Sequence, residues 1–154
     1  MIKAAVMSDT HNVLRPDVTE ILKECDCIIH AGDLSKPAIL EQLNRIAPVY
    51  AVRGNNDKEW AGDLPQELRF SLGWMRFYLV HNKKDANPGE ELPHAVIFGH
   101  SHRYLEERKD GVLWLNPGSC GRRRFDLPVT MAVLEITEDR YQVKRIDFPA
   151  ASKG

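Results

Sequence analysis

The sequence predicts an α/β fold built on two β-sheets, and three observations lead there. The first half of the 154-residue chain alternates short apolar runs with amphipathic ones in the order βαβαβ, which favours a parallel sheet covered by helices. The second half is almost entirely strand-like, in hairpin pairs, and predicts a second, largely antiparallel sheet. No repeat, low-complexity tract or linker separates the halves, so residues 1–154 read as one domain.

Each element has its own warrant. "IKAAVMS" (2–8) is an apolar run bounded by the polar loop "DTHNVLRP", hence a buried first strand. In "DVTEILKEC" (17–25), Val18, Ile21, Leu22 and Cys25 recur at helical spacing, with Pro16 at the start. "DCIIHAGD" (26–33) is the second strand. "PAILEQLNRIA" (37–47) carries Pro37 in its first turn and an apolar stripe of Ile39, Leu40, Leu43 and Ile46. "PVYAVRGNND" (48–57) is the third strand. "ELRFSL" (67–72) and "MRFYLVH" (75–81) form a hairpin about Gly73–Trp74. "KKDANPGEELP" (83–93) is too interrupted by Pro and Gly for a helix, and "HAVIFGH" (94–100) is again a strand. "RYLEERKD" and "VLWLNPGS" turn at Asp110–Gly111, and "PVTMAVLEIT" and "YQVKRIDF" meet near Glu138–Arg140.

Composition narrows the function classes. Hydrophobic residues at 43% and charged residues at 28% describe a globular chain with a sizeable core. A net charge of -1 gives no electrostatic case for general nucleic-acid or membrane binding. No apolar run nears the roughly 20 residues that span a bilayer, and the short N-terminal apolar stretch lacks the form of a signal peptide. The expected location is the cytoplasm. Three cysteines, with Cys25 and Cys27 only two apart, predict no disulfide framework, and both read as small core residues. Trp60, Trp74 and Trp114 read as core or interface positions, and a tryptophan patch or exposed strand edge is the expected surface of any homo-oligomer.

The polar residues collect at strand ends. Five apolar runs finish in Asp9-x-His11, Gly32-Asp33, Gly54-Asn55-Asn56-Asp57, His81, and Gly99-His100-x-His102. Sites in open α/β sheets form beyond the carboxyl ends of the strands, so aligned strands would gather all five groups on one rim. Any one of these residues alone reads as a turn former or hydrogen-bonding group. Together they offer oxygen and nitrogen ligands without cysteine, a set suited to Mn, Fe, Co, Ni or Zn. Seven ligand side chains exceed the four that one zinc uses, and two ions sharing a carboxylate would employ them all. His100 and His102, two apart on a segment expected to be extended, would point to the same side, with Ser101 pointing away.

These motifs, "SDTH", "AGD", "RGNND", "VH", "FGHSH" and the later "NPGS", resemble in order and spacing the signature of calcineurin-like metallophosphoesterases, in particular their small single-domain phosphodiesterase branch. The resemblance implies a four-layer αββα sandwich of two mixed β-sheets flanked by helices. It implies a two-metal centre that activates water against a phosphodiester, with Mn foremost and Ni, Fe, Co or Zn as alternatives. Asp9, His11, Asp33 and His102 would hold one ion, and Asp33, Asn55, His81 and His100 the other, with Asp33 shared. Asn55, Asn56 and Asp57 would form the catalytic loop. Asn56 stands where many phosphatases of the superfamily carry His, a departure that points to the phosphodiesterase branch. Asn82 and Lys83 follow His81 where that branch often has Gly-His. Arg15 and Arg103 are candidate substrate-phosphate contacts. The run Arg122, Arg123, Arg124 reads as a solvated turn or a phosphate contact, and His30 and His94 take no assigned role. The substrate would be a small phosphoester. A phosphomonoesterase on the same site and a non-catalytic protein-binding scaffold of the same fold are the alternatives.

Overall fold

The computed structural model describes residues 1–11, 13–54, 57, 64–121 and 127–148. Strand β1 (Ile2–Met7) leads through a polar loop to helix α1 (Pro16–Leu22), then β2 (Cys27–His30), helix α2 (Pro37–Ile46) and β3 (Val49–Ala51). Both helices begin with Pro at the first turn after an extended residue, Arg15 or Lys36, and neither has a side-chain cap. Helix α1 is shorter than its periodicity predicts. Its last turn tightens, with Glu24 N–H donating to Ile21 O and Cys25 N–H to Leu22 O, the 3₁₀ closure common at helix ends. Helix α2 stops because Ala47 is extended at φ -162° before Pro48, where proline's ring disfavours helical backbone.

The rest is strand: β4 (Glu67–Leu72), β5 (Met75–Val80), β6 (Ala95–Ile97), β7 (Tyr104–Lys109), β8 (Val112–Pro117), β9 (Val129–Ile136) and β10 (Tyr141–Phe148). The first sheet has the order β10-β9-β1-β2-β3, and the second β4-β5-β6-β8-β7. In the first sheet β1 pairs parallel with β2 and antiparallel with β9. The second sheet departs from the largely antiparallel expectation. β6 lies parallel to both β5 and β8, and only the outer hairpins are antiparallel. Both sheets are therefore mixed. Parallel β5 and β6 need a crossover connection, and residues 81–94 supply it.

Side-chain alternation then builds three cores. Ala4, Val6 and Ile29 of the first sheet meet Phe77, Leu79, Ile97 and Leu115 of the second. On the opposite face of the first sheet, Ala5, Met7 and Ile28 pack against Val18 and Leu22 of α1 and Ile39 and Leu43 of α2. The outer face of the second sheet buries Tyr78, Val80, Val96 and Phe98 with half-buried Trp114 and Leu105. Its covering layer is thin. Among the described residues it holds one 3₁₀ turn, Lys83–Asp85, which packs through neighbouring Ala86. Cys27 sits in the inter-sheet core, Cys25 and Cys120 lie on the helical side, and all three are free thiols. Trp60 and Arg122, Arg123 and Arg124 lie outside the described residues. No helix among the described residues is long and apolar enough to cross a membrane.

Candidate metal centre

β1, β2 and β3 run parallel, as do β5 and β6, so the loops that follow them emerge on shared edges. Cross-loop bonds draw these ends together. Asp9 N–H donates to Gly32 O, His11 N–H to Asp33 O, and Gly99 N–H to His81 O. At the centre lies Asp9, fully buried. Its Oδ2 accepts from Ser8 Oγ at 2.7 Å and from the His100 amide at 3.0 Å. Its Oδ1 lies 3.6 Å from His11 Nε2, 3.9 Å from His81 Nε2 and 3.5 Å from His102 Nε2.

The other groups complete two overlapping clusters, Asp9 with His11 and His102, and Asp9 with Asp33 and His81. Within each, the ligand atoms lie within 4.8 Å of one another. Asp33 Oδ2 stands 3.7 Å from His11 Nε2 and 3.3 Å from His81 Nε2. His81 Nδ1 is 2.6 Å from the Ala31 carbonyl, which can only accept, so Nδ1 carries the proton. Nε2 is then the atom turned toward the two carboxylates, an arrangement typical of a metal-binding imidazole. Asp9 Oδ1 and His81 Nε2 are buried and make no hydrogen bond among the described residues. His11 and His102 bring their Nε2 atoms to 3.2 Å of each other.

Electrostatics follow from this crowding. Burial works to raise the Asp9 carboxyl, but the imidazoles of His102, His11 and His81 and the Ser8 hydroxyl hold it well below the usual carboxylate range. Burial works to lower His81, yet Asp33, Asp9 and the Ala31 carbonyl together raise it.

Five of these residues have left-handed backbone: Asp9 at φ 54°, His11 at 47°, Asp33 at 63°, His100 at 75° and His102 at 64°. The segment around His100 and His102 is thus not extended as expected. Ser101 N–H donates to Gly99 O, closing a tight turn. The turn sends His102 beside His11 and His100 beside His81, whose rings meet edge-on at 5.3 Å. Gly99 is required for this approach, since a Cβ there would collide with Ser8 Oγ and Asp9 Oδ2. Gly54 is required likewise, because a Cβ would run into the Asp33 carboxylate and amide.

Several sequence-predicted residues are placed differently. Asp57, expected beside the reacting atoms, has both oxygens taken by main-chain donors: Asp33 N–H at 3.0 Å, Gly54 N–H at 2.8 Å and Ser35 N–H at 2.8 Å. Arg15 makes a bidentate pair with Asp17 at 3.0 Å on both arms. Arg103 is exposed, and its amide donates to Ser101 Oγ. Asn82 caps the 3₁₀ turn by accepting from Lys84 N–H. Asn55 and Asn56 lie outside the described residues.

Other functional residues were not singled out by sequence. Asn116, fully buried, donates to Gly99 O and Ser101 Oγ, while its Oδ1 accepts from Gly118 N–H. Ser119 Oγ donates to Asp9 O. Both lie in "NPGS", a turn signal that locates the loop without revealing what its side chains hold. His30 is completely buried and links two site loops. Gly32 N–H donates to its Nδ1 at 3.0 Å, so the ring proton must sit on Nε2, 3.2 Å from Thr10 Oγ1. Arg53 lines a cleft of about 580 Å³ that opens beside His81.

A two-sheet sandwich whose strand ends converge carboxylates and imidazoles in this way is an α/β scaffold with candidate metal-binding groups. Comparison with known proteins places it further. Residues 2–139 match the calcineurin-like phosphoesterase superfamily domain, and the chain belongs to that family, whose chemistry is metal-dependent phosphoester hydrolysis. It is 33% identical over 156 residues to a probable metallophosphoesterase of Methanothermobacter thermautotrophicus, covering 92% of this chain and 90% of that protein. It is 26% identical over 163 residues to a protein of Methanocaldococcus jannaschii named as a phosphodiesterase, covering 92% and 97%. Its fold is similar to Vps29 of Chaetomium thermophilum, with TM-score 0.78 at 16% identity over 97% of this chain and 100% of the other.

Two predictions follow from the network. Burial lowers the His30 pKa to about 4, against the pull of Asp9, Asp57 and Asp33. A depressed histidine stabilises the fold above its unfolded pKa of about 6.5 and loses that contribution as pH falls toward 4. In metal-free urea unfolding this one group should account for about 2 kcal/mol of the stability lost between pH 7 and 5. His30→Gln, which keeps a donor toward Thr10, should shrink that pH difference by the same amount, and an unchanged difference would contradict it. Asn116→Ala leaves the buried Gly118 amide without its acceptor and takes a donor from Gly99 O and Ser101 Oγ, and should cost about 1–3 kcal/mol of unfolding free energy. It should also weaken divalent-metal binding about 10–100-fold in calorimetry, through the displaced turn that carries His100 and His102.

Proposed function

We propose that the chain is a cytoplasmic, metal-dependent phosphodiesterase that hydrolyses a phosphodiester to a monoester and an alcohol at a two-ion centre. The observation that carries this reading is the pair of buried atoms without hydrogen bonds, Asp9 Oδ1 and His81 Nε2. A bare carboxylate oxygen facing imidazole nitrogens out of water is unfavourable unless a cation shares the space. The donors fit such ions: oxygen and nitrogen without thiolate, which suits Mn first and Ni, Fe, Co or Zn after it. In this reading Asp9, His11, Asp33 and His102 hold one ion, and Asp33, Asn55, His81 and His100 the other.

When bound, such ions supply Lewis-acid activation of water and of the phosphoryl group. The protein's own part is charge and aim. Asp9 and Asp33 bring the negative charge that retains the ions, and the Ala31 carbonyl orients His81. Asp57 acts as a positioning residue that ties the Asp33 and Gly54 amides together. Asn56 can donate a hydrogen bond to a departing oxygen but cannot transfer a proton at neutral pH. The relative named as a phosphodiesterase supports the diester reading across most of the chain.

Mn-loaded protein should hydrolyse bis(p-nitrophenyl) phosphate and lose that activity to a chelator. Metal-replete protein inert toward every diester and monoester would instead support the protein-binding scaffold. Elemental analysis should find two ions per chain at saturation. Asp33→Ala should deplete both, whereas His102→Ala should spare one more than the other. A single ion in the saturated parent would count against the assignment.

Without a proton donor at position 56, rates should depend steeply on leaving-group pKa. Aryl esters should react well and alkyl monoesters poorly. General acid catalysis typically contributes about 10²–10⁴-fold, so Asn56→His should narrow the gap chiefly by raising alkyl monoester turnover. The check is kcat/KM across graded leaving groups at matched metal occupancy. A parent insensitive to leaving-group pKa would remove Asn56 from the account.

A further inference from the structure

The cleft of about 580 Å³ beside the ligand cluster is lined by His81 at one side and by Arg53, Gln66, Glu67, Asn82 and Asp85. His81 belongs to the metal centre, and Arg53 precedes Gly54, whose backbone abuts the Asp33 carboxylate. The cleft is therefore continuous with the place where a phosphoryl group would be held. Neither the pocket lined by Arg69, Arg76, Phe70 and Phe77 nor the groove of Leu92 and Trp114 includes a residue of the ligand cluster.

The cleft's hydrogen-bonding capacity can be read group by group. Tyr78 OH donates to Glu67 Oε2 at 2.6 Å, which anchors the side chain and leaves its second oxygen to accept from a ligand. Asp85 adds a second carboxylate. Asn82 Oδ1 is taken by Lys84 N–H, so its amide NH₂ remains to donate. Arg53 donates only, and Gln66 offers both functions. Glu67 and Asp85 also set a sign. An additional phosphate in this part of the cleft would face two carboxylates, and like-charge juxtaposition is a strong source of discrimination.

We infer that this cleft binds the second arm of the phosphodiester, and that the arm is a small polar alcohol bearing hydrogen-bond donors, either hydroxyl or ammonium, with no second phosphate. Glu67 and Asp85 accept from those donors, and Arg53 and Asn82 satisfy the arm's oxygens. The inference rests on the phosphodiesterase reading. It narrows the substrate class to diesters of polyols or amino alcohols and sets nucleic-acid and other polyanionic diesters aside.

The test uses mixed diesters that share a p-nitrophenyl leaving group and differ in the other arm: ethyl, glycerol, ethanolamine and phosphorylated glycerol. With Mn-loaded protein, the glycerol or ethanolamine arm should raise kcat/KM about tenfold over ethyl, as one or two added hydrogen bonds would. The phosphorylated arm should fall about tenfold below ethyl. Preference for glycerol identifies a polyol source, and preference for ethanolamine an amino alcohol. In Glu67→Gln/Asp85→Asn the ethanolamine preference should drop to about twofold or less and the phosphorylated arm should recover. Turnover of all four arms at equal rates, or a preference for the phosphorylated arm, overturns the inference while leaving the phosphodiesterase reading intact. Should no diester react, that reading fails. Calorimetric binding of glycerol phosphate and ethanolamine phosphate to the Mn-loaded protein then decides the cleft by itself. Weaker binding of either in the double variant than in the parent supports it, and equal binding of both overturns it.

Discussion

The structure depends on how one carboxylate is held. Asp9 follows the central parallel strand of the first sheet and is completely buried. One of its oxygens accepts two hydrogen bonds, its main-chain carbonyl accepts a third from Ser119, and its amide donates across to Gly32. The other oxygen is bare and confronts three imidazoles within 3.9 Å. Removing an ionised carboxylate from water is expensive unless charge and hydrogen bonds compensate. Here the partners of Asp9 come from its own loop and from loops after four other strands, β2, β5, β6 and β8. Those loops cannot be placed independently, because each supplies either a partner to Asp9 or a ligand beside it.

That demand explains the left-handed backbone at the site. A strand that simply continued would carry its polar end away from the rim. A residue at positive φ folds the chain back at once, so that the next residue also reaches the centre. Asp and His tolerate this conformation better than most non-glycine residues, yet each such residue still costs about 1–3 kcal/mol. Asp9, His11, Asp33, His100 and His102 all adopt it. Strain of that size persists only where the surroundings over-determine it. Asp57 pins three amides, Asn116 pins the Gly99–Ser101 turn, and His30 joins Thr10 to Gly32. The outcome is a set of converging carboxylates and imidazoles fixed by bonds from several loops, which is the arrangement that positions reacting groups efficiently.

Much of this was legible in the chain itself. Apolar runs ending in Asp or His locate the rim, and the alternation of the first half predicts its parallel strands. What escaped has a common physical reason. Side-chain identity states which bonds a residue can make but not which partner reaches it. The sequence offers Asp57 as a carboxylate but does not tell that three amides donate to it. Arg15 looks free until Asp17 takes both its arms. Asn116 and His30 look like ordinary turn and strand residues because their importance lies in atoms distant in sequence. The mixed second sheet escaped for a related reason. β6 is only three residues long, and a strand that short carries no local sign of whether its neighbours run with it or against it.

A fold and its chemistry are separable, so this architecture does not by itself specify a reaction. The arrangement here suggests how the separation works. The bonds that shape the rim run mostly through main-chain groups: Gly32 O, Asp33 O and His81 O as acceptors, and the Asp33, Ser35 and Gly54 amides as donors. Such bonds survive substitution of ligand side chains. The loops would keep their course if His11 or His102 were exchanged for another residue that tolerates positive φ, and only the converging nitrogens would be lost. Asp9 is the exception, because its Oδ2 holds the His100 amide while its Oδ1 faces the imidazoles. Structure and electrostatics are joined in that one side chain, so the converging imidazoles can be exchanged singly but Asp9 cannot be lost without rebuilding the rim.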